Sequence, residues 1–117
     1  MVALTEDVRS YYEYVDNSKY EALFDLFAED VTYERPDSET IEGLPASMRF
    51  YEQERPLDEG SHEVHDIVVD GDTVAVRGCF SSIQSGEAVQ FGFADVHVFD
   101  DEGNIAKRYT YTNRDTV

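Results

Sequence analysis

The sequence predicts an α+β fold, with helices first and an antiparallel sheet after them, packed as two layers. Three observations predict it. Apolar residues up to about Glu54 recur at three- and four-residue spacing, and from His62 onward they alternate with polar ones. Glycine-bearing turn signals then cut the second part into four runs.

Val8, Tyr11, Tyr12 and Val15 follow the i, i+3, i+4, i+7 pattern of an amphipathic helix, with Thr5 as N-cap ahead of Glu6 and Asp7. Asp16-Asn17-Ser18 breaks it. Ser18-x-x-Glu21 has the form of a capping box, opening a second helix whose apolar face carries Tyr20, Leu23, Phe24 and Phe27. Val31 to Glu34 reads as a short strand and Arg35 to Gly43 as a turn-rich connection. Pro45 suits the first turn of a third helix, which runs to about Glu54 before Arg55-Pro56 stops it. The strands that follow are Val64 to Val69, Thr73 to Ile83, Ala88 to Phe99 and Ile105 to Thr112. Asp70-Gly71, Ser85-Gly86 and Asp101-Glu102-Gly103-Asn104 separate them as hairpin turns, which makes the sheet an antiparallel meander. No repeat, linker or low-complexity tract divides the chain, so its 117 residues are expected to form one domain, 1–117, around one core.

Charge narrows the partners. Against 26 acidic residues stand 9 basic ones, of which only Lys19 and Lys107 are lysines, for a net charge of −17. Such a surface repels phosphates, so nucleic acid is excluded as a partner. Self-repulsion of this size destabilises a compact chain in dilute buffer, but at ~1 M salt the screening length falls to roughly 3 Å. An acidic mesophilic protein is the alternative, but the scarcity of lysine points to a halophilic, salt-rich cytoplasm. No apolar run approaches the roughly 18 residues of a membrane helix, and Met1 to Glu6 lacks the features of a secretory leader, so no membrane partner and a cytoplasmic location are expected. Cys79 is the sole cysteine, which leaves no disulfide or CxxC pair and reads as a small buried hydrophobe.

Alternation along the longest strand places Phe91, Phe93, Asp95, His97 and Phe99 on one face. A carboxylate among phenyl rings is costly to keep charged, so Asp95 is expected either neutral with a raised pKa or paired with His97 or Arg35. An Asp–His pair in an apolar pocket is suited to general acid–base work, and a satisfied buried pair that only fixes the sheet is an equal alternative. His62 and His65 lie three residues apart, hence on opposite faces of a regular strand. No His, Cys or carboxylate spacing supports a metal site, and no cofactor is expected. An exposed histidine at a strand start is the simplest reading of His62. On the last strand either Arg108 and Thr110 or Tyr109 and Tyr111 point inward. Arg77 and Arg108 are simplest as surface ion pairs, and Tyr12, Tyr33, Tyr109 and Tyr111 as amphipathic core or rim residues.

Several local strings, in order, resemble SnoaL-like proteins of the NTF2-like superfamily: Phe27-Ala28-Glu29-Asp30-Val31-Thr32-Tyr33, Ile41-Glu42-Gly43, Val68-Val69-Asp70-Gly71-Asp72-Thr73-Val74-Ala75-Val76, Phe93-Ala94-Asp95-Val96, and Gly103-Asn104-Ile105 with Thr110-Tyr111. The resemblance spans nearly the whole chain and implies a cone in which a bent sheet wraps three helices around a cavity for a small-molecule ligand. That superfold hosts isomerases, cyclases, dehydratases, epoxide hydrolases and binding modules, so it does not by itself name a reaction. In ketosteroid isomerase an Asp base works beside an oxyanion hole of Tyr and protonated Asp. The resemblance puts Tyr11 and Asp95 at the oxyanion positions, but Arg35 stands where the base belongs and cannot accept a proton, which disfavours steroid isomerisation. Relatives that hydrolyse epoxides use an Arg-x-Asp pair and a further Asp. Here those places read Phe93-x-Asp95 and Thr110, which disfavours that activity too. The same comparison turns Arg108 and Thr110 inward and places a histidine near His62.

The resulting expectation is a small-molecule enzyme of SnoaL or isomerase type, in which Asp95 and His97 handle protons and Tyr11 and Arg35 stabilise an oxyanion. Phe93, Tyr33, His62, Arg108 and Thr110 contact the ligand. The alternative is a non-catalytic binding or assembly domain using the same cavity or the outer sheet face. Because NTF2-like relatives pair through that face, a homodimer is expected, burying Ala94, Val96 and Val98 with Val74, Val76, Gly78 and Phe80 as one alternate set.

Overall fold

In a computed structural model, residues 2–36, 39–54, 57–84 and 86–113 are described. The expected stop at Arg55-Pro56 and the first residue of the Ser85-Gly86 turn fall outside them. Helix α1 (Val2–Asp16) leads into α2 (Tyr20–Phe24), β1 (Phe27–Glu34), the two-residue β2 (Ile41–Glu42) and α3 (Leu44–Arg49), which continues as a π-helical turn over Phe50–Glu54. Four long strands follow: β3 (Leu57–Asp70), β4 (Thr73–Gln84), β5 (Glu87–Phe99) and β6 (Ile105–Thr112). They build one six-stranded sheet in the order β2-β1-β6-β5-β4-β3. β3 to β6 form the antiparallel meander, β1 runs parallel to β6, and β2 is antiparallel to β1. This is the cone of the NTF2-like fold.

The helix ends differ from the sequence expectation. α1 begins at Val2, so Thr5 lies within it. No side chain caps α2; Ser18, the expected cap, instead takes a left-handed φ of 55° as the chain turns between the helices. α2 ends at Phe24, and Phe27 opens β1, where the Ile105 amide binds the Leu26 carbonyl and starts the parallel pairing. The third helix widens into a π turn at Phe50. Such turns add a residue to the helical ladder and re-aim the side chains on it, here Tyr51.

The core lies between the helices and the inner sheet face. Val8, Tyr11, Tyr12 and Val15 of α1 are buried there, together with Val74, Val76 and Phe80 of β4 and Phe91, Phe93 and Phe99 of β5. The β4 set had been assigned to the outer face, and the structure reverses it, because antiparallel register places Val76 opposite Asp95 and Gly78 opposite Phe93. Gly78 is needed where it stands: a Cβ there would lie 2.1 Å from the Glu63 carbonyl oxygen and 2.9 Å from the Phe93 ring. Register shifts at Asp58/Ser61 and Val64/Asp66 mark bulges in β3, and bulges bend a strand and increase its twist. Cys79, expected in the core, follows Gly78 onto the outer face and is only half-buried.

Candidate functional site

The inner face of β5 and β6 carries a polar cluster within the apolar core. Register pairs Asp95 with Thr110 and His97 with Arg108, so four polar side chains meet across two strands. Asp95 and Arg108 are 4% and 1% exposed, and His97 is fully buried. The carboxylate receives the Thr110 hydroxyl at Oδ1 (2.6 Å) and the Tyr12 hydroxyl at Oδ2 (2.7 Å), and Arg108 Nη2 stands 3.2 Å from Oδ2. Arg108 also donates Nε to His97 Nδ1 (3.3 Å) and Nη1 to the Tyr51 hydroxyl (3.0 Å). Because Nδ1 accepts from the guanidinium, neutral His97 carries its proton on Nε2, 3.1 Å from the Tyr12 oxygen. The guanidinium is sandwiched 4.1 Å from the Tyr11 ring centre and 4.3 Å from that of Tyr33. Five elements thus hold one charge pair.

Electrostatics follow from this wiring. Burial alone would raise the pKa of Asp95, but Arg108, His97 and the hydrogen bonds from Thr110 and Tyr12 outweigh it and keep the carboxyl below its ordinary value. Asp95 is therefore ionised, and the expectation of a neutral aspartic acid fails because the cation comes from the neighbouring strand. Its salt-bridge partner is Arg108, in place of His97 or Arg35. The same burial, reinforced by Arg108 and opposed by Asp95, drives the His97 pKa down to about 3, so this imidazole is neutral. Burial raises the Tyr11 and Tyr12 phenols. Tyr33 is the exception: burial would raise it, yet Arg108 and Arg35 together leave it lowered.

Beside the cluster opens a cavity of about 380 Å³, measured out to its open mouth. Tyr11, Tyr33, Arg35, Tyr51, His62, Phe80, Phe91, Phe93, Asp95, Arg108, Thr110 and Thr112 line it. Eight of the nine candidates from sequence are on that wall; His97 stands behind it. Arg35 packs its guanidinium 4.4 Å from the Phe50 ring centre. Tyr11 does not reach Asp95. Its hydroxyl pairs with that of Tyr51 at 2.6 Å, and Tyr12, one residue on, makes the bond to the carboxylate. Arg108 is no surface ion pair, whereas Arg77 is one, with Asp66. Nor is His62 an exposed strand-start residue: its side chain is 10% exposed, and Asp16 accepts from its backbone amide. Among the described residues no group of three or more His, Cys, Asp or Glu side chains could hold a metal ion, and no helix is long and apolar enough to cross a membrane.

The family model for the SnoaL-like domain matches residues 8–108, a span that contains ten of the twelve residues lining the cavity, Thr110 and Thr112 lying beyond it. The chain belongs to the SnoaL-like domain family. No curated protein matches it significantly in sequence. Among solved structures, this SnoaL-like chain is similar to SalBIII, an epoxide hydrolase/cyclase-like enzyme of pyran ring formation in the polyether salinomycin (TM-score 0.84, 21% identity, 95% of this chain and 91% of that one). It is also similar to an LEH-like epoxide hydrolase of M. tuberculosis (TM-score 0.85, 19% identity, 97% and 84%). A third is a hypothetical protein with a ketosteroid isomerase-like fold from Catenulispora acidiphila in complex with trimethylamine (TM-score 0.79, 18% identity, 91% and 84%). At these identities the likeness is one of fold.

Three residues of the site escaped the sequence reading. Tyr12 looked like a plain core position of α1, Tyr51 lay in an unremarked helix end, and Asp16 looked like part of a break.

Proposed function

We propose that this SnoaL-like protein is an enzyme that transfers protons on a small molecule bound in the aromatic cavity, by isomerase-, cyclase- or dehydratase-type chemistry. The observation that carries the reading is an ionised Asp95 on the cavity wall, locked by a buried Arg108. A carboxylate held in its charged form throughout the neutral range is ready to accept a proton, and the low-polarity walls strengthen its interaction with a bound molecule. Negative charge developing on that molecule would meet Tyr33 and Arg35, the phenol being the more acidic for its two guanidinium neighbours. Tyr33 thus takes the oxyanion role first given to Tyr11, while His97, neutral and behind the wall, orients Tyr12 and Arg108. The similar cyclase-like and epoxide hydrolase-like structures support the class of chemistry. Steroid isomerisation stays disfavoured, because a cation, Arg35, occupies the base position.

The test uses 5-nitrobenzisoxazole, a planar probe whose ring opens to a cyanophenolate when a base removes its C3 proton and the N–O bond breaks. Asp95→Asn is expected to lose at least about a hundredfold in kcat/KM, the ordinary worth of a positioned base. An unchanged rate would take Asp95 out of the mechanism and favour a binding domain.

The same reading extends to assembly and surroundings. The outer sheet face exposes Val68 and Tyr111 (63% and 60%) beside Ala75 and Ala94, with Val96 and Val98 half-buried, and a two-fold contact would cover this strip in each copy. Two chains of −17 repel, so the homodimer should tighten in the concentrated salt of a halophilic cytoplasm. Sedimentation at micromolar protein should show the dimer fraction rising from 0.1 M to 2 M KCl, as roughly 10 Å of screening length shrinks below 3 Å. A monomer at the higher salt removes the proposal.

A further inference from the structure

A second titratable constellation lies beside Tyr12, and the mechanism above does not use it. His62, near the middle of β3, lines the cavity, and its ring packs 4.2 Å from Phe80, 4.8 Å from Tyr12 and 5.3 Å from Phe93, centre to centre. Asp16, the last residue of α1, takes hold of it twice: Oδ2 accepts the His62 backbone amide at 2.8 Å and Oδ1 meets Nδ1 at 2.5 Å. A side chain pinned at both its backbone and its ring has one orientation. With Nδ1–H committed to the carboxylate, the tautomer is set and the basic nitrogen is Nε2.

We infer that His62 is a second proton-transferring residue of the cavity, exchanging its proton with the bound molecule through Nε2, and that Asp16 is its positioning residue. This rests on the proposed proton-transfer function and adds a group to it. The physical need is plain. Asp95, ionised and engaged by Arg108, Thr110 and Tyr12, can accept a proton but has none to give, whereas an imidazole can carry out both halves of a proton transfer. Among the described residues, Asp16 and Tyr12 of α1 are charged or titratable groups beside His62, and Asp95, Arg35 and Arg108 line the same cavity; β4 and β5 bring the Phe80 and Phe93 rings against it. The chain has three histidines, which makes the assignment testable: His65 is exposed beside Glu63, outside the cavity, and His97 stays neutral down to about pH 3. Any imidazole limb in a pH profile of the cavity therefore belongs to His62.

With 5-nitrobenzisoxazole, wild-type kcat/KM is expected to rise with pH through a limb as an imidazole gives up its proton. His62→Gln should lose that limb and about tenfold or more of the rate at pH 7.5, and Asp16→Asn should lower the rate several-fold and displace the limb. Asp95→Asn should lower the rate yet keep the limb. A limb that persists in His62→Gln, or a wild-type rate no greater than that of His62→Gln, overturns the inference. Loss of rate in Asp95→Asn alone leaves the Asp95 reading standing without it, and loss in His62→Gln alone does the reverse. Nitrogen-15 NMR of the wild-type imidazoles needs no variant: the neutral Nδ1–H tautomer is expected at His62, and an Nε2–H tautomer would overturn the inference.

Discussion

Two arginine–aspartate pairs cross the same sheet on its two faces. Arg77 Nη2 and Asp66 Oδ2 on the outer face are 2.7 Å apart with side chains 65% and 59% exposed, while Arg108 and Asp95 on the inner face are 3.2 Å apart and 1% and 5% exposed. By distance the outer pair is the tighter. By consequence it is the lesser, because water screens it and could replace either partner, whereas for the inner ions Thr110, Tyr12, Tyr51 and His97 stand in for water. The comparison teaches that the surroundings of a charge pair, more than its length, decide whether it can hold a site together.

The strongest way to break the comparison is to remove one ion on the inner face. Arg108→Met strands a buried carboxylate and should cost about 3–5 kcal/mol, with Asp95 driven to take up a proton. Urea unfolding checks it, and a loss below about 1 kcal/mol would make the two faces alike. Next comes acid. His97 is neutral in the fold with its pKa lowered from 6.5 to about 3, so below pH 6.5 the unfolded chain binds a proton that the native chain refuses. Stability should therefore fall as pH drops from 6.5, by roughly 3 kcal/mol at pH 4. Asp95, also lowered, adds its own loss only further down, as pH falls below its ordinary value of 3.8. Comparing wild type with His97→Gln in 2 M KCl isolates the histidine from the relief of surface repulsion, and parallel pH curves would refute it. The smallest effect belongs to the outer pair: Arg77→Ala should change stability by about 0–1 kcal/mol, and less in high salt.

Legibility in the sequence followed the same divide. Alternation put Phe91, Phe93, Asp95, His97 and Phe99 on one face, and the structure buries all five. Helix positions of α1 were equally readable, because side-chain direction repeats within a few residues on either element. The helix caps were less so: Thr5 and Ser18 carry the right chemistry, yet α1 starts earlier, at Val2, and Ser18 is a left-handed link. Charge state could not be read at all. An aspartate among phenylalanines is neutral or ionised according to a guanidinium 13 positions away, and nothing local announces it.

What the sequence alone determined was therefore the order of elements and the inward stripe of β5, which rest on short-range periodicity, and the family, which the resemblance of its local strings implied. Tertiary structure decided which of Tyr11 and Tyr12 reaches Asp95, that Arg108 neutralises it, and that Asp16 meets His62 across 46 residues. The physical reason is register. A one-residue slip of β6 against β5 would send Arg108 to the other face, and only the closed packing of strands, bulges and helices selects the alignment that joins them.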